Sequence, residues 1–497
     1  MSVRTRNIRR IAGLSACALV LSGCFANTGA GGRDEGRLGV ALAFQPAADM
    51  SPYSDDAILL SKIGTTETLT VLDREGNPQP GLAEDWEQTS PDTLRMTLRP
   101  GASFHDGTPA TAEHAAAALQ HAAEATTPPR SLQGVQLRAR AAGERTLEVS
   151  TDRPDPILAQ RLSAPELAIL SPAAYREDSD SPDPVRAGTG PYVLDEVHGS
   201  SGAALSANRE YWGGPPQATG VDVRFIADSA TRTNALRAGE VDIVDNVPVP
   251  QLPALGEHEV LDFPLPRLVG AHLNTQRGPF TDPGLRAAAR EAVDARAITE
   301  SLYAGSADPA RGLFGPASPW AGSDPQHSTE PGTPRGEPIR IATYDERPEL
   351  PEAASVVAEK LRAAGFRVED VVVQEYSTME SDLLDGAYDV VIGTRSYGVD
   401  TGDPISYLST DWTCDGSYNL SLLCDPGIDR AVQDAAGADV DQRKREAVRI
   451  ADRVVGTDAV LPLAHERTRI GTAPQVHGVA EDSFDRRLIT AETGGDA

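Results

Sequence analysis

Apolar residues along this chain follow two rhythms, a period of two over short runs and a period near 3.6 over longer ones, and the two keep alternating. Residues 38–44 (LGVALAF) read as a first strand, 45–53 as a Pro-punctuated loop, and a helix is predicted over 55–69. Leu94, Met96 and Leu98 alternate as a strand, an Ala-rich helix opens at Thr111 and runs to about Ala125, and residues 135–151 continue as strands. A broken helix is expected over 155–169 and a loop over the acidic, Ser- and Pro-rich run 176–184. Strands are then predicted at 192–194, near Leu205 and at 221–226, where Val221, Val223 and Phe225 alternate with Asp222 and Arg224. Asp228 or Ser229 can cap the helix that holds Leu236, and Gly239 stands where a left-handed terminator is needed before the strand at 241–244. That is a strand–helix–strand unit, so its two strands are expected to be parallel.

The second half repeats the pattern. Residues 271–275 read as a strand, and Asp282-Pro283 as a cap and first-turn proline for a helix whose Leu285, Ala289, Ala292 and Val293 share one face. Residues 308–336 are rich in Pro, Gly and Ser and read as loop. A strand at 338–342, a helix over 351–364 ended by Gly365, strands at 366–368 and 371–373, a helix near 379–384 and a strand at 388–393 form another alternating unit. An amphipathic helix over 440–454 and a strand at 459–464 close the series.

A chain of 497 residues exceeds what one core usually supports, so two or more lobes with room for a cavity between them are expected. Its beginning has a different character. Arg4, Arg6, Arg9 and Arg10 precede an apolar run over 11–21, too short to cross a bilayer as a permanent helix and of the length of a signal-peptide core. The small residues before Cys24 resemble a bacterial lipobox, which makes Cys24 the lipidated first residue of the mature chain; an ordinary secretory signal is the alternative, and Arg9-Arg10 also permits a twin-arginine signal. Removing this leader takes four arginines and no acid from a formal charge of −28, leaving −32. Such acidity argues against nucleic acid and against an anionic membrane face as partners. With Cys17 removed and Cys24 lipidated, Cys414 and Cys424 remain, and in an oxidising compartment they are expected to form a disulfide closing a small loop.

Three blocks carry a family likeness: Gly188-Thr189-Gly190-Pro191 with Asn208, Tyr211, Trp212 and the helix ending Ala-Gly-Glu-Val-Asp-Ile; Pro80-Gly81-Leu82-Ala83 with Trp86 and Phe104-His105-Asp106-Gly107; and Asn274-Thr275 with Pro279-Phe280 and the Ala-rich helix after it. In this order they resemble the solute-binding proteins of ABC importers, in the large peptide/nickel family (family 5), over residues 38 to about 470. The resemblance implies an α/β, two-lobed periplasmic-binding-protein type II-like fold with an extra subdomain in lobe one. The expected parts are a lipoprotein signal peptide at 1–23, a flexible tether at 24–37, and lobe one from 38–70, 188–266 and 466–497. The extra subdomain takes 71–187 and lobe two 267–465.

The loop leaving the strand at 388–393 reads Thr394-Arg395-Ser396-Tyr397-Gly398-Val399-Asp400-Thr401-Gly402-Asp403-Pro404. Ligands of open α/β sheets sit beyond the carboxyl ends of strands, so this is the leading binding segment. Family members that bind dipeptides carry an aspartate-X-glycine-aspartate-proline run there, matched by residues 400–404, and members of the nickel branch carry arginine-threonine-tryptophan-glycine, which Arg395-Ser396-Tyr397-Gly398 resembles; the two branches stay open. An arginine offers a bidentate fork to a carboxylate and an aspartate accepts an ammonium, so Arg395, Tyr397, Asp400 and Asp403 are candidate contacts of a zwitterionic or carboxylate-bearing solute. An interlobe salt bridge for Arg395 and a turn role for Asp400 and Asp403 are the alternatives. The resemblance adds Tyr53, in the loop that approaches the ligand, and Trp320, after a Gly312-Leu313-Phe314-Gly315-Pro316 run similar to the family's cleft-bordering loop.

No metal site is expected. His105-Asp106 reads as a turn presenting Phe104 to the core, and His114 and His121, seven residues apart, as helix surface. Nickel-type members supply a histidine soon after the arginine motif, whereas this chain has none between His327 and His465. The resemblance therefore implies a monomeric, cofactor-free receptor that takes a peptide or a metal chelate to a membrane permease, with lobe closure as its only chemistry. An exported hydrolase is the competing class, although Gly-x-Ser-x-Gly, His-Glu-x-x-His, Ser-x-x-Lys and phosphate-loop motifs are absent. A receptor that signals to a sensor is the third reading.

Overall fold

The computed structural model describes residues 36–497 except 177, 323, 346, 348, 399, 400, 496 and 497. The expected leader, most of the tether, Cys24 and Asp400 lie outside the described residues.

One sheet runs through the molecule, in the order Arg367–Gln374, Pro338–Tyr344, Val390–Ser396, Glu259–Leu273, Val460–Thr472, Ile243–Val244, Arg37–Leu42, Gly220–Phe225, Gly202–Ala207, Tyr192–Val197. Ile243–Val244 and Gly220–Phe225 are both parallel to Arg37–Leu42 and flank it. The strand–helix–strand unit read from sequence is therefore parallel, with the first strand of the fold inserted between its members. The caps fall where side chains allow: Asp228 Oδ1 accepts from Thr231 N at 2.7 Å, Asp282 from Gly284 N at 2.8 Å, and Thr111 Oγ1 from His114 N at 3.3 Å.

Two halves hang on this sheet, each with its own apolar core. Val40, Leu42, Tyr192, Leu205, Val223 and Ile243 sit in the first, and Ala271, Ile341, Val357, Leu361, Val390 and Ile392 in the second. A separate four-stranded antiparallel sheet (Ala83–Ser90, Thr93–Leu98, Thr146–Thr151, Leu137–Ala141) is covered by the helix Ala112–Glu124, whose alanines allow close approach; Met96, Leu119 and Leu147 fill the space between. Phe104 is buried there, as its turn implied.

The halves are joined by strands, not by a loop. Glu259–Leu273 pairs antiparallel with Val460–Thr472 from Glu259↔Thr472 through to His272↔Val460, with a register break between Pro264 and Leu268. The expected boundary between 266 and 267 thus falls within continuous β-structure with a bulge, which bends the strand without ending it.

Two expected helices are shorter than their periodicity suggested. The helix at 55–69 spans only Asp56–Lys62, because Gly64 adopts a left-handed φ of 72° and the β-branched residues after it continue extended. Of the run at 155–169, only Leu158–Arg161 is α-helical.

The Gly-Thr-Gly-Pro and Tyr-Trp blocks meet around Glu67. Its carboxylate accepts from Tyr211 Oη at 2.8 Å, Trp212 Nε1 at 3.0 Å and Thr189 Oγ1 at 2.8 Å, while Arg99 lies 4.2 Å over the Trp212 ring. A Cβ on Gly188 would lie 2.0 Å from Thr65 O, so only glycine lets these segments touch.

Candidate functional site

A cavity of about 1080 Å³ opens between the four-stranded subdomain and the second half. Ligand sites commonly take roughly 300–1,000 Å³, so there is room for a solute larger than one amino acid. Arg130, Gln133, Arg153 and Ile157 line it from the subdomain; Tyr344, Arg347, Thr394, Arg395, Ser396 and Tyr418 line it from the other side, and Arg267 stands at the strand junction. Pro338–Tyr344 and Val390–Ser396 are neighbouring parallel strands, and Tyr344, Arg395 and Ser396 lie at their carboxyl ends, where backbone alternation stops and side chains can converge.

Arg395 is held in place by its own neighbours. Its Nε donates to Asp411 Oδ2 at 2.9 Å and its guanidinium lies 4.7 Å over the Tyr418 ring. It therefore enters a salt bridge, but within its own half. Tyr397 borders the cavity through a nearly buried ring whose hydroxyl meets Ser318 Oγ at 2.5 Å.

The other expected contacts are tied to their own neighbours. Asp403 lines the cavity and takes the turn role that the sequence left open. It caps the helix Pro404–Trp412, accepting from Ser406 N at 2.7 Å and Ser406 Oγ at 2.8 Å, and it pairs with Arg443, whose Nε reaches Oδ1 at 2.8 Å and whose Nη2 meets Oδ2. Burial works to raise its pKa, the Arg443 fork and the cap outweigh that, and the carboxyl stays below its ordinary range. Three of these bonds fall on Oδ2 and one on Oδ1, and the side chain is 2% exposed. Tyr53 packs against the subdomain core, and Trp320 against Phe314 at 5.1 Å between ring centroids; neither lines the cavity. Cys414 and Cys424 are joined in a disulfide, and Asp415, Gly416 and Ser417, in the loop it closes, line the wall.

The sequence reading missed the charged group at the strand junction. Arg267 Nη1 and Arg347 Nη1 each lie 3.5 Å from the same oxygen, Glu466 Oε2, and Arg347 Nη1 lies 3.8 Å from Glu349 Oε1. Two guanidiniums thus share one carboxylate. Burial, then the charge of Glu466, pushes the Glu349 carboxyl up to about 7. Burial, then the charge of Arg347, pulls the Arg267 pKa down. Arg347 follows the strand Pro338–Tyr344 as Arg395 ends its neighbour, so the same carboxyl-end rule would have found it. The pairing with Arg267 and Glu466 arises from the register break and has no local signal.

The arrangement offers cationic forks and tyrosine rings. Among the described residues no group of three or more His, Cys, Asp or Glu side chains is arranged to hold a metal ion. A hinged α/β molecule with a charged cavity between its halves defines a receptor for a small solute.

Sequence comparison places it further. Residues 77–419 match the bacterial extracellular solute-binding proteins, family 5 (Middle), and the chain belongs to this family. It is 24% identical to the nickel-binding protein NikA of Staphylococcus aureus over 85% of both chains, and 25% identical to a probable di/tripeptide-binding protein 5 of Pseudomonas aeruginosa over 90% of this chain and 96% of that one. A structure of a putative peptide-binding protein AppA from Clostridium difficile superposes with a TM-score of 0.81 at 16% identity, covering 92% of this chain and all of the other. The fold is the two-lobed type II-like periplasmic-binding-protein fold, and relatives are substrate-binding proteins, not enzymes.

Proposed function

We propose that this protein is the extracytoplasmic receptor lipoprotein of an ABC importer, anchored through Cys24, which captures a small carboxylate-bearing solute between its lobes and delivers it to the permease. The observation that carries the ligand class is the pair Arg267 and Arg347 on one Glu466 oxygen at the cavity wall, with Arg395 nearby. The surplus positive charge of that pair favours a carboxylate, and a guanidinium binds one through two parallel hydrogen bonds. An oligopeptide or similar compound fits the volume. A metal held inside a carboxylate chelator fits the same chemistry, as the likeness to a nickel-binding protein allows.

Capture by closure needs no covalent step. A solute that touches both the subdomain side and Arg267, Arg347 and Arg395 does so only when the halves are together, and its binding energy shifts that equilibrium. Mass spectrometry with elemental analysis of what co-purifies with the protein from its native host tests this reading. The expected result is a carboxylate compound, with or without bound metal, that returns to stripped protein with saturable thermal stabilisation. Chemical conversion of that compound by the protein would overturn it. Lipid anchoring is tested by Cys24→Ser, which should release the protein from the membrane fraction.

A further inference from the structure

The loop at 394–404 is the leading binding segment of the sequence reading, yet two of its glycines face something else. A Cβ on Gly398 would lie 2.7 Å from Phe484 Cδ1 and one on Gly402 would lie 3.3 Å from Phe484 Cε1. From the first half of the chain, a Cβ on Gly76 would lie 3.3 Å from Phe484 Cζ. Phe484 is 6% exposed and stands edge-on to Tyr397 at 6.3 Å. It belongs, with Leu72, to an apolar cluster otherwise built from the second half.

Two residues further on, Arg486 bridges the same gap. Its Nη1 donates to Ser163 O at 3.0 Å and Ser163 Oγ at 3.1 Å on the subdomain, and its Nη2 donates to Gly398 O at 2.8 Å on the second half. The loop bearing both residues is fixed to the first half. Asp485 pairs with buried Lys62 at 2.8 Å, and the backbone amides of Leu488 and Ile489 both donate to Lys62 O. Asp485 itself is held at a left-handed φ of 58°, which turns the chain between Phe484 and Arg486.

We propose that residues 482–487 form a latch that holds the lobes together without solute, Phe484 acting as the bolt in a socket of glycines and Arg486 as the clasp. The latch goes beyond the receptor reading and does not depend on which solute is bound. It assigns Gly398 and Gly402 to receiving a ring from the other half. It also adds a second determinant of affinity, because a receptor whose binding-competent state is pre-populated loses less of its intrinsic affinity to closure. Phe484 and Arg486 are thus positioning residues, and neither lines the cavity.

The test is small-angle scattering of the solute-free, signal-processed protein, with hydrogen exchange as a check on folding. Phe484→Ala and Arg486→Ala should each enlarge the radius of gyration while the core strands of both halves keep their protection. Gly398→Ala should act in the same direction, by pushing the ring out of its socket. If Phe484→Ala unfolds, Arg486→Ala and Gly398→Ala decide, since the first leaves the apolar cluster intact and the second adds one methyl. An unchanged radius in folded Arg486→Ala and Gly398→Ala would overturn the proposal.

Discussion

Arg267 and Glu466 face each other at 3.5 Å where the two connecting strands lose register, so the ion pair sits on the bend itself. Residues 265–267 on one strand oppose the single residue 466 on the other. A bulge of this kind re-aims side chains, and here it turns a guanidinium to the cavity mouth.

Removing one fork should weaken capture. Arg347→Ala is expected to lower affinity for the co-purifying solute about tenfold, about 1.4 kcal/mol, in line with one charge-assisted hydrogen-bonded contact. Isothermal titration with wild type and variant checks this. Arg395→Ala should cost a similar factor, and unchanged affinity would remove either residue from the contact set.

The proton on Glu349 gives a signed pH effect. Its carboxyl is raised from 4.5 to about 7 in the folded chain, so between those values the folded state holds a proton that the unfolded state has lost. Stability from this group is full below 4.5 and falls as pH rises to about 7. Glu349→Gln mimics the protonated form, so its melting temperature relative to wild type should rise from pH 5 to pH 8. A flat difference would show that Glu349 does not titrate there.

Asp403 and Arg443 should behave as structure, not as ligand contacts. Arg443→Ala leaves a buried carboxylate without its ion-pair partner, a change that commonly costs about 3–5 kcal/mol. Chemical denaturation should show that loss, whereas a solute that still binds the folded variant should do so with affinity close to wild type.

Cys414→Ser with Cys424→Ser should lower stability by about 2 to 3 kcal/mol, the chain-entropy value for so short a loop. Because residues 415–417 line the cavity, solute release should also quicken. Denaturation and dissociation kinetics separate the two effects.

Much of this molecule was legible in its residues. Caps such as Asp228 and Asp282 act through their own neighbours, and alternation marks strands whose two faces differ, so local pattern sufficed there. The carboxyl-end rule found Arg395 because the strand before it is plain in sequence. Arg267, Glu466 and Arg347 come from three distant segments, and the bulge that joins them depends on pairing between strands almost 200 residues apart. Asp403 stayed ambiguous in sequence because an aspartate before a proline suits a helix cap as well as a ligand contact, and its partner Arg443 comes from a helix 40 residues further on. Glu67 was hidden inside a helix prediction that Gly64 cuts short.

The long paired strands between the halves have a practical consequence. Endoproteases need several residues of extended backbone with unengaged amides, and the connecting strands are paired over most of their length, whereas the Pro- and Gly-rich stretch at 310–336 has little regular pairing. Nicking in a harsh exterior should begin in that stretch and leave both halves tied to one another.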